Sequence, residues 1–178
     1  ESREAPAACG VGPVGPVGQV RRVSNPLSVS QVIDAVFALD VPRGLHEAVS
    51  LTGGEPLCHA EFLAAFCPRL RSAGLATYLE TNGTLPGALA QLGGCLDHVA
   101  MDIKLASATG ERTDWEAQRR FLARCPAGAV QVKVVVASGT TDDELERVAE
   151  LILSVCPTAG RDAAPSRPHP SPPPKGEG

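Results

Sequence analysis

The chain has 178 residues, of which 43% are hydrophobic and 20% are charged, and its formal net charge is -4. A domain of roughly 150 residues buries about two-thirds of its surface, so this composition predicts one packed core. The mild acidity and the lack of a basic stripe with interleaved aromatic residues argue against nucleic-acid binding. No apolar segment approaches the roughly 20 residues of a membrane span and no signal peptide is recognised, which predicts a cytoplasmic protein.

The two ends of the chain differ from its middle in composition. Residues 1–23 are rich in Gly, Pro, Ala and Val without a helical period, which predicts a loop or an irregular insertion. Residues 157–178 include the run Pro172-Pro173-Pro174 and are predicted to be a disordered tail. Residues 24–156 are therefore predicted to form the folded domain.

Strand and helix patterns alternate through this domain. The predicted helices have apolar residues at helical spacing and cover Val29–Leu39, Ala60–Ala73, Pro86–Leu92, Asp114–Arg124 and a last segment from Thr140 or Thr141 to Val155. The predicted strands are short apolar runs at Ala48–Thr52, Ala76–Thr81, His98–Leu105 and Val130–Ala137. Strands that alternate with helices of this length form parallel βαβ units, so the fold class is predicted to be α/β with parallel strands.

Details of three elements follow from their side chains. Ser28 followed by Gln31 predicts a capping box on the first helix. The β-branched run Val130–Ala137 is typical of a strand that is buried on both faces. The last helix is predicted to bury one apolar stripe, which consists of Leu145, Val148, Ile152 and Val155.

The most informative motif is the run from Val49 to Leu57, in which a predicted strand leads into Gly53-Gly54-Glu55-Pro56. The two glycines permit positive φ and let a ligand approach the peptide groups closely. Pro56 suits the first turn of a following helix. The motif therefore predicts a binding loop at the carboxyl end of a strand.

Two further polar groups follow the next two predicted strands. Glu80, Thr81 and Asn82 lie at the end of one strand, and Lys104 and Ser107 lie at the end of the other. Side chains of these types can hold the hydroxyl groups and the carboxylate of a ligand that lies across the strand ends.

Each of these groups also has a structural explanation. Glu80 and Asp102 could be ordinary acids with Lys104 as their partner, and Asn82-Gly83 could be only a turn.

The cysteines do not form a recognisable ligand motif. All six are widely separated, with no CxxC or CxxxCxxC spacing, and they are Cys9, Cys58, Cys67, Cys95, Cys125 and Cys156. Free cysteines commonly behave as small buried hydrophobes, and a disulfide framework is not expected in a cytosolic α/β domain. No metal ligand is therefore assigned.

Together these motifs resemble those of radical S-adenosylmethionine (SAM) enzymes. The set Gly-Gly-Glu-Pro at 53–56, Glu-Thr-Asn-Gly at 80–83 and Asp-Ile-Lys at 102–104 is most similar to 7-carboxy-7-deazaguanine synthase-like proteins. Glycyl-radical-enzyme activating enzymes are the next most similar, and the resemblance covers about residues 24–155. It implies a partial (βα) radical-SAM-type barrel in which the first, cluster-bearing strand is missing.

The resemblance also implies ligands, partners and residue roles. The cofactors are SAM, a [4Fe-4S] cluster and Mg²⁺, and the product is a precursor of queuosine made from a pterin-like substrate, 6-carboxy-5,6,7,8-tetrahydropterin. The partners are a reductant such as flavodoxin or ferredoxin and a second copy in a homodimer. The residues implied to bind SAM or to face the ligand are Gly53, Gly54, Glu55, Pro56, Glu80, Thr81, Asn82, Lys104 and Ser107.

The missing cysteine motif leaves two alternatives beside a 7-carboxy-7-deazaguanine synthase-like enzyme. One is a glycyl-radical-enzyme activating enzyme-like protein. The other is a non-catalytic remnant that binds SAM or a nucleoside without a cluster. Under each of these interpretations the chain is expected to be inactive alone, because three cysteines on one short loop are needed to ligate the cluster.

Overall fold

A computed structural model describes residues 8–11, 21–126 and 128–156, with side chains described for 25–126 and 128–156. The strands are β1 (Ala8–Val11), β2 (Arg21–Ser24), β3 (Ala48–Leu51), β4 (Ala76–Thr81), β5 (His98–Lys104) and β6 (Val130–Val135). The helices are α1 (Val29–Leu39), α2 (Ala60–Ser72), α3 (Pro86–Gln91), α4 (Ala106–Thr109), α5 (Trp115–Leu122) and α6 (Asp142–Val155). A 3₁₀ turn at Pro56–His59 precedes α2.

Strands β3 to β6 form one parallel sheet in the order of the sequence, β3-β4-β5-β6. Right-handed crossovers between strands in consecutive order place all the connecting helices on one face, as in a (βα) barrel. A doubly wound sheet would instead reverse its strand order at one point. The predicted partial (βα) arrangement with parallel strands is therefore confirmed.

The hydrophobic core lies on one face of this sheet. Leu79 and Ile103 are fully buried strand residues, and they belong to one apolar cluster with Leu63 and Phe66 of α2 and Phe121 of α5. Alternate residues of the strands point to the opposite face, which carries mostly polar side chains and which we call the helix-free face, because no helix of the described residues covers it. This division leaves the polar face available for ligands.

Most of the predicted elements are present, with ends that lie within two residues of the prediction. The capping box of α1 is confirmed, because Ser28 Oγ accepts from Gln31 N and Gln31 Oε1 accepts from Ser28 N. The last helix has a second capping box, between Thr141 and Glu144. The two short segments at Pro56–His59 and α4 were not predicted.

Three predictions are wrong in detail. The irregular segment predicted near the start contains β1, which pairs with β2 in an antiparallel ladder. Strand β6 is not buried on both faces: Gln131, Lys133 and Val135 are exposed, because β6 is an edge strand and the face they share has no helix. Leu145 of α6 is 42% exposed, and Leu151 is buried with Val148 in its place.

Both outer strands of the parallel sheet have a free edge within the described residues. A cavity of about 890 Å³ lies beside β3, between that strand, α1 and α2, and its lining includes Val36, Leu51 and Phe66. Among the helices of the described residues, none combines the length and the apolarity that crossing a bilayer requires. The predicted disordered tail, 157–178, lies outside the described residues.

Candidate functional site

The loop after β3 presents bare backbone to solvent. Gly53 adopts φ +118°, and both Gly53 and Gly54 are exposed. A Cβ atom at either position would meet no other atom within 4 Å. Of the two glycines, only Gly53 has the positive φ that both were predicted to permit. The packing of the protein therefore does not require glycine at position 54, and the open space over this loop suits the close approach of a ligand.

Glu55 joins the ends of β3 and β4. Its Oε1 accepts hydrogen bonds from Leu57 N at 3.1 Å and from Thr81 Oγ1 at 2.8 Å. Its Oε2 accepts from Asn82 N at 2.9 Å. The carboxylate thus forms a clamp between two neighbouring loops, and hydrogen bonds to a charged acceptor are stronger than neutral ones. Glu55 fixes where the glycine backbone lies.

The other predicted residues of these two loops contact residues of their own loop. Pro56 is buried at the first position of the 3₁₀ turn. Thr81 is 4% exposed, and its Oγ1 also accepts from Gly83 N at 3.2 Å. Asn82 Oδ1 accepts from Thr84 N at 3.0 Å and from Thr84 Oγ1 at 2.6 Å. Thr81 and Asn82 therefore shape the loop with their side chains.

Glu80 lies on the helix-free face, next to the glycine loop. It accepts from Ser50 Oγ at 3.3 Å and from Thr52 Oγ1 at 3.4 Å. The Glu80 side chain is half-buried, and both of its described partners are hydroxyl groups. A carboxylate has about four lone-pair sites, so Glu80 keeps acceptor capacity for a ligand.

The end of β5 differs from the ends of β3 and β4. Lys104 is exposed, and its ammonium has no hydrogen-bond or ion-pair partner within the described part of the chain. Ser107 donates its backbone N–H to Glu144 Oε1 at 3.2 Å, and its Oγ lies 3.0 Å from Thr140 Oγ1. Bonds from Ser107 and from the Thr141 backbone hold the pKa of Glu144 below its ordinary value. Ser107 is thus engaged with the start of α6, whereas Lys104 is free to meet an anion.

Several polar residues of the helix-free face were not predicted from the sequence as site residues. Asp102 pairs with Lys133 Nζ at 3.3 Å, so the predicted alternative in which Lys104 is its partner is wrong. Tyr78 Oη donates to Gln131 Oε1 at 3.4 Å. The signal was present in the sequence, because Gln131 and Lys133 alternate with valines in β6 and so point to the face opposite the core.

The described cysteines do not fit an iron–sulfur cluster. Cys58 is exposed, Cys67 and Cys95 are buried, and Cys125 and Cys156 are half-buried. Burial raises the pKa of both the Cys67 and the Cys125 thiol to about 12, whereas metal ligation needs thiolate. Among the described residues no group of three His, Cys, Asp or Glu side chains is placed to hold a metal ion.

The sequence of this chain is similar to those of several known proteins. The chain is 38% identical over 132 residues to the 7-carboxy-7-deazaguanine synthase of Geobacter sulfurreducens, a match that covers 74% of this chain and 52% of the relative. The resemblance predicted from the sequence is confirmed. The 7-carboxy-7-deazaguanine synthase of Thermococcus kodakarensis is 31% identical over 139 residues, which cover 75% of this chain and 54% of the relative.

The second predicted resemblance is also found. The pyruvate formate-lyase 2-activating enzyme of Escherichia coli is 42% identical over 65 residues, which cover 36% of this chain and 22% of that enzyme. No protein-family profile matches the chain. Three curated 7-carboxy-7-deazaguanine synthases match about three-quarters of this chain, and the match spans only about half of their own length.

Proposed function

We propose that this chain carries the SAM-binding and substrate-binding face of a 7-carboxy-7-deazaguanine synthase-like radical SAM protein. The methionine end of SAM binds over the backbone of Gly53 and Gly54. Glu80 and Lys104 face the ligand with their side chains. Glu55, Pro56, Thr81 and Asn82 hold the loops in position, and Ser107 anchors the loop after Lys104.

One observation carries this proposal. The carboxylate of Glu55 fixes the loop of Gly53 and Gly54 against the end of β4, while the space above both glycines stays open. A loop that is fixed and has no side chains is pre-organised for a ligand that is recognised by peptide groups. Ligands of parallel α/β folds bind at the carboxyl ends of the strands, where this loop lies.

The identity of the substrate and of the partners is part of the proposal. The substrate is a small molecule, a pterin with a carboxylate, as the resemblance implies, and Mg²⁺ assists its conversion. The reductant is a flavodoxin or ferredoxin, and the protein acts in the cytoplasm as a homodimer. The [4Fe-4S] cluster that the resemblance implies finds no ligand set among the described residues, so no catalytic step is assigned to this chain.

The proposal is tested by calorimetric titration of the 178-residue chain with SAM. Gly54→Val places a branched side chain over the peptide groups, and its Cβ meets no other atom within 4 Å. Hydrogen bonds to a charged partner contribute about 1.5–3 kcal/mol each, so we expect the affinity for SAM to fall at least about tenfold. Gly87→Val is the matched control, because Gly87 also has open space around it but lies on α3.

Both variants are expected to keep the unfolding free energy of the parent within about 1 kcal/mol. A parent chain that does not bind SAM would reject the proposed function. A Gly54→Val variant that binds SAM as tightly as the parent would reject the role of the loop alone.

The distribution of the cysteines favours a second candidate, a non-catalytic module that binds SAM or a nucleoside. Anaerobic reconstitution of residues 1–178 with iron and sulfide distinguishes the two. For a chain without its own cluster we expect no stoichiometric [4Fe-4S] signal by electron paramagnetic resonance and no release of 5′-deoxyadenosine. A stoichiometric cluster would reassign the cysteines as ligands and make the chain itself the enzyme.

A further inference from the structure

The helix-free face of the sheet carries a second group of polar residues, which lie within the strands and not at their carboxyl ends. Tyr78 and Glu80 of β4, Asp102 of β5, and Gln131 and Lys133 of β6 share this face, as the register and the alternation of the strands require. The set spans three neighbouring strands. It adjoins the SAM loop through Glu80, which is hydrogen-bonded to the residue that precedes Gly53.

The floor of this set is closed. Ala100 pairs with Glu80 on one side and with Gln131 on the other, and it is fully buried although no helix covers its face. Tyr78 Oη reaches across β5 to Gln131 Oε1 at 3.4 Å. The Tyr78 side chain therefore crosses β5 beside Ala100, and a planar ring bound at this row would rest on Tyr78. Two strand spacings, about 10 Å, separate β4 from β6 at this row, which suits a planar bicyclic ring.

Lys133 is the cation at the rim of this floor. Its Nζ lies 3.3 Å from Asp102 Oδ1, and the two side chains are 44% and 34% exposed. Ion pairs with this much exposure contribute little to folding, so little stability is lost when the lysine changes partners. Lys104, two residues after Asp102 on the same strand, stands closer to the strand ends and remains available for SAM.

We propose that Lys133 binds the carboxylate of the substrate, and that Asp102 positions the ammonium of Lys133 until the substrate arrives. This inference rests on the proposed function and assigns the recognition of the second ligand. Asp102 and Glu80 are then acceptors for the N–H groups of the heterocycle. Lys133 acts as a specificity-determining residue: it distinguishes a ring that has a carboxylate from the same ring without one.

The test uses two fluorescent probes, pterin-6-carboxylate and pterin, titrated against the 178-residue chain in the presence of SAM. We expect Lys133→Met to weaken the binding of pterin-6-carboxylate about tenfold, the size of one lost charge-assisted hydrogen bond. Its affinity for pterin should stay within about twofold of the parent, because pterin has no carboxylate. Lys133→Arg should restore most of the carboxylate affinity, since the charge is kept.

Two further variants control the experiment. Arg120→Met removes an exposed cation from α5, outside this face, and should change neither probe. Asp102→Asn should weaken both probes to a similar extent, because it replaces a charged acceptor for the N–H groups of the ring. A change in the urea midpoint of Lys133→Met would show whether folding contributes to its effect.

The outcomes separate the two levels of inference. If Lys133→Met weakens the binding of both probes equally, or of neither probe, Lys133 does not recognise the carboxylate and this inference is wrong. If the parent binds SAM but neither pterin, the inference is also wrong while the SAM site stands. If the parent binds neither SAM nor the probes, the proposed function itself is rejected.

Discussion

The two ends of β4 use the same chemistry for different purposes. At the carboxyl end, Glu55 accepts hydrogen bonds from Thr81 Oγ1 and Asn82 N. At the amino end, Asp97 Oδ2 accepts from the backbone N–H and the hydroxyl of Thr77 at 2.9 and 3.0 Å, and Asp97 Oδ1 accepts from Arg71 at 3.0 Å. Each carboxylate therefore binds a buried threonine of one strand to a neighbouring loop.

The surroundings of the two clamps differ. The clamp at Asp97 is completed by the cation of Arg71. The clamp at Glu55 has no cation among its described partners, and it adjoins the bare backbone of Gly53 and Gly54. In (βα) barrels the amino ends of the strands serve stability and the carboxyl ends carry the active site. The Asp97 clamp therefore belongs to the fold, whereas the Glu55 clamp also fixes the loop that we propose to bind SAM.

The largest expected effect distinguishes two kinds of glycine at the carboxyl end. Gly83 has φ +68°, and a Cβ there would lie 2.6 Å from Met101 Cε, which is fully buried. We expect Gly83→Ala to lower the unfolding free energy by about 2–4 kcal/mol through overpacking and backbone strain. Gly54→Ala, which meets open space, should be neutral or stabilising by up to about 1 kcal/mol. Urea denaturation measures both, and an equal loss in the two variants would contradict the distinction.

The next effect concerns the amino-terminal clamp. Asp97→Ala removes the acceptor of both Thr77 groups and of Arg71, so we expect a loss of about 2–3 kcal/mol in the unfolding free energy. Calorimetric affinity for SAM, measured where the variant is fully folded, should equal that of the parent. A variant that is folded but binds SAM more weakly would show that the two ends of β4 are not separate in function.

The difference between these ends also explains what could be predicted from the sequence. Periodicity and end signals predicted the helices other than the short α4, and the four parallel strands, because each signal is local to its element. The Gly-Gly-Glu-Pro motif predicted a binding loop after β3, and its ligand stays a prediction. The sequence did not reveal that Glu55 contacts Thr81, because that contact requires two strands to be neighbours. The exposed face of β6 was missed for a different reason. The alternation of Gln131 and Lys133 with valines indicated it, but the β-branched run was interpreted as a strand buried on both faces.

A smaller effect is expected at Glu55, with a different signature from that of Asp97. Glu55→Ala removes three acceptor contacts, including the cap of the 3₁₀ turn, and should cost about 1–2 kcal/mol of unfolding free energy. Because the glycine loop loses its anchor, we also expect SAM affinity to fall about tenfold. Glu55→Gln keeps one carbonyl acceptor and should lose less of both. Loss of stability with unchanged SAM affinity would make Glu55 a purely structural residue.

The smallest effect is a pH dependence at the amino-terminal clamp. The backbone N–H of Thr77, followed by the side chain of Arg71, holds the pKa of Asp97 below its usual value of 3.8. A folded-state pKa that is lowered gives stability above the unfolded pKa, about 3.9, and that stability is lost as the pH falls through the folded value. The unfolding free energies of the parent and of Asp97→Asn should therefore differ by a constant amount between about pH 5 and 7. The difference should shrink below about pH 4, as the parent protonates Asp97. Urea midpoints across this range measure it, and a difference that grows as the pH falls would mean that Asp97 is not stabilised in its charged form.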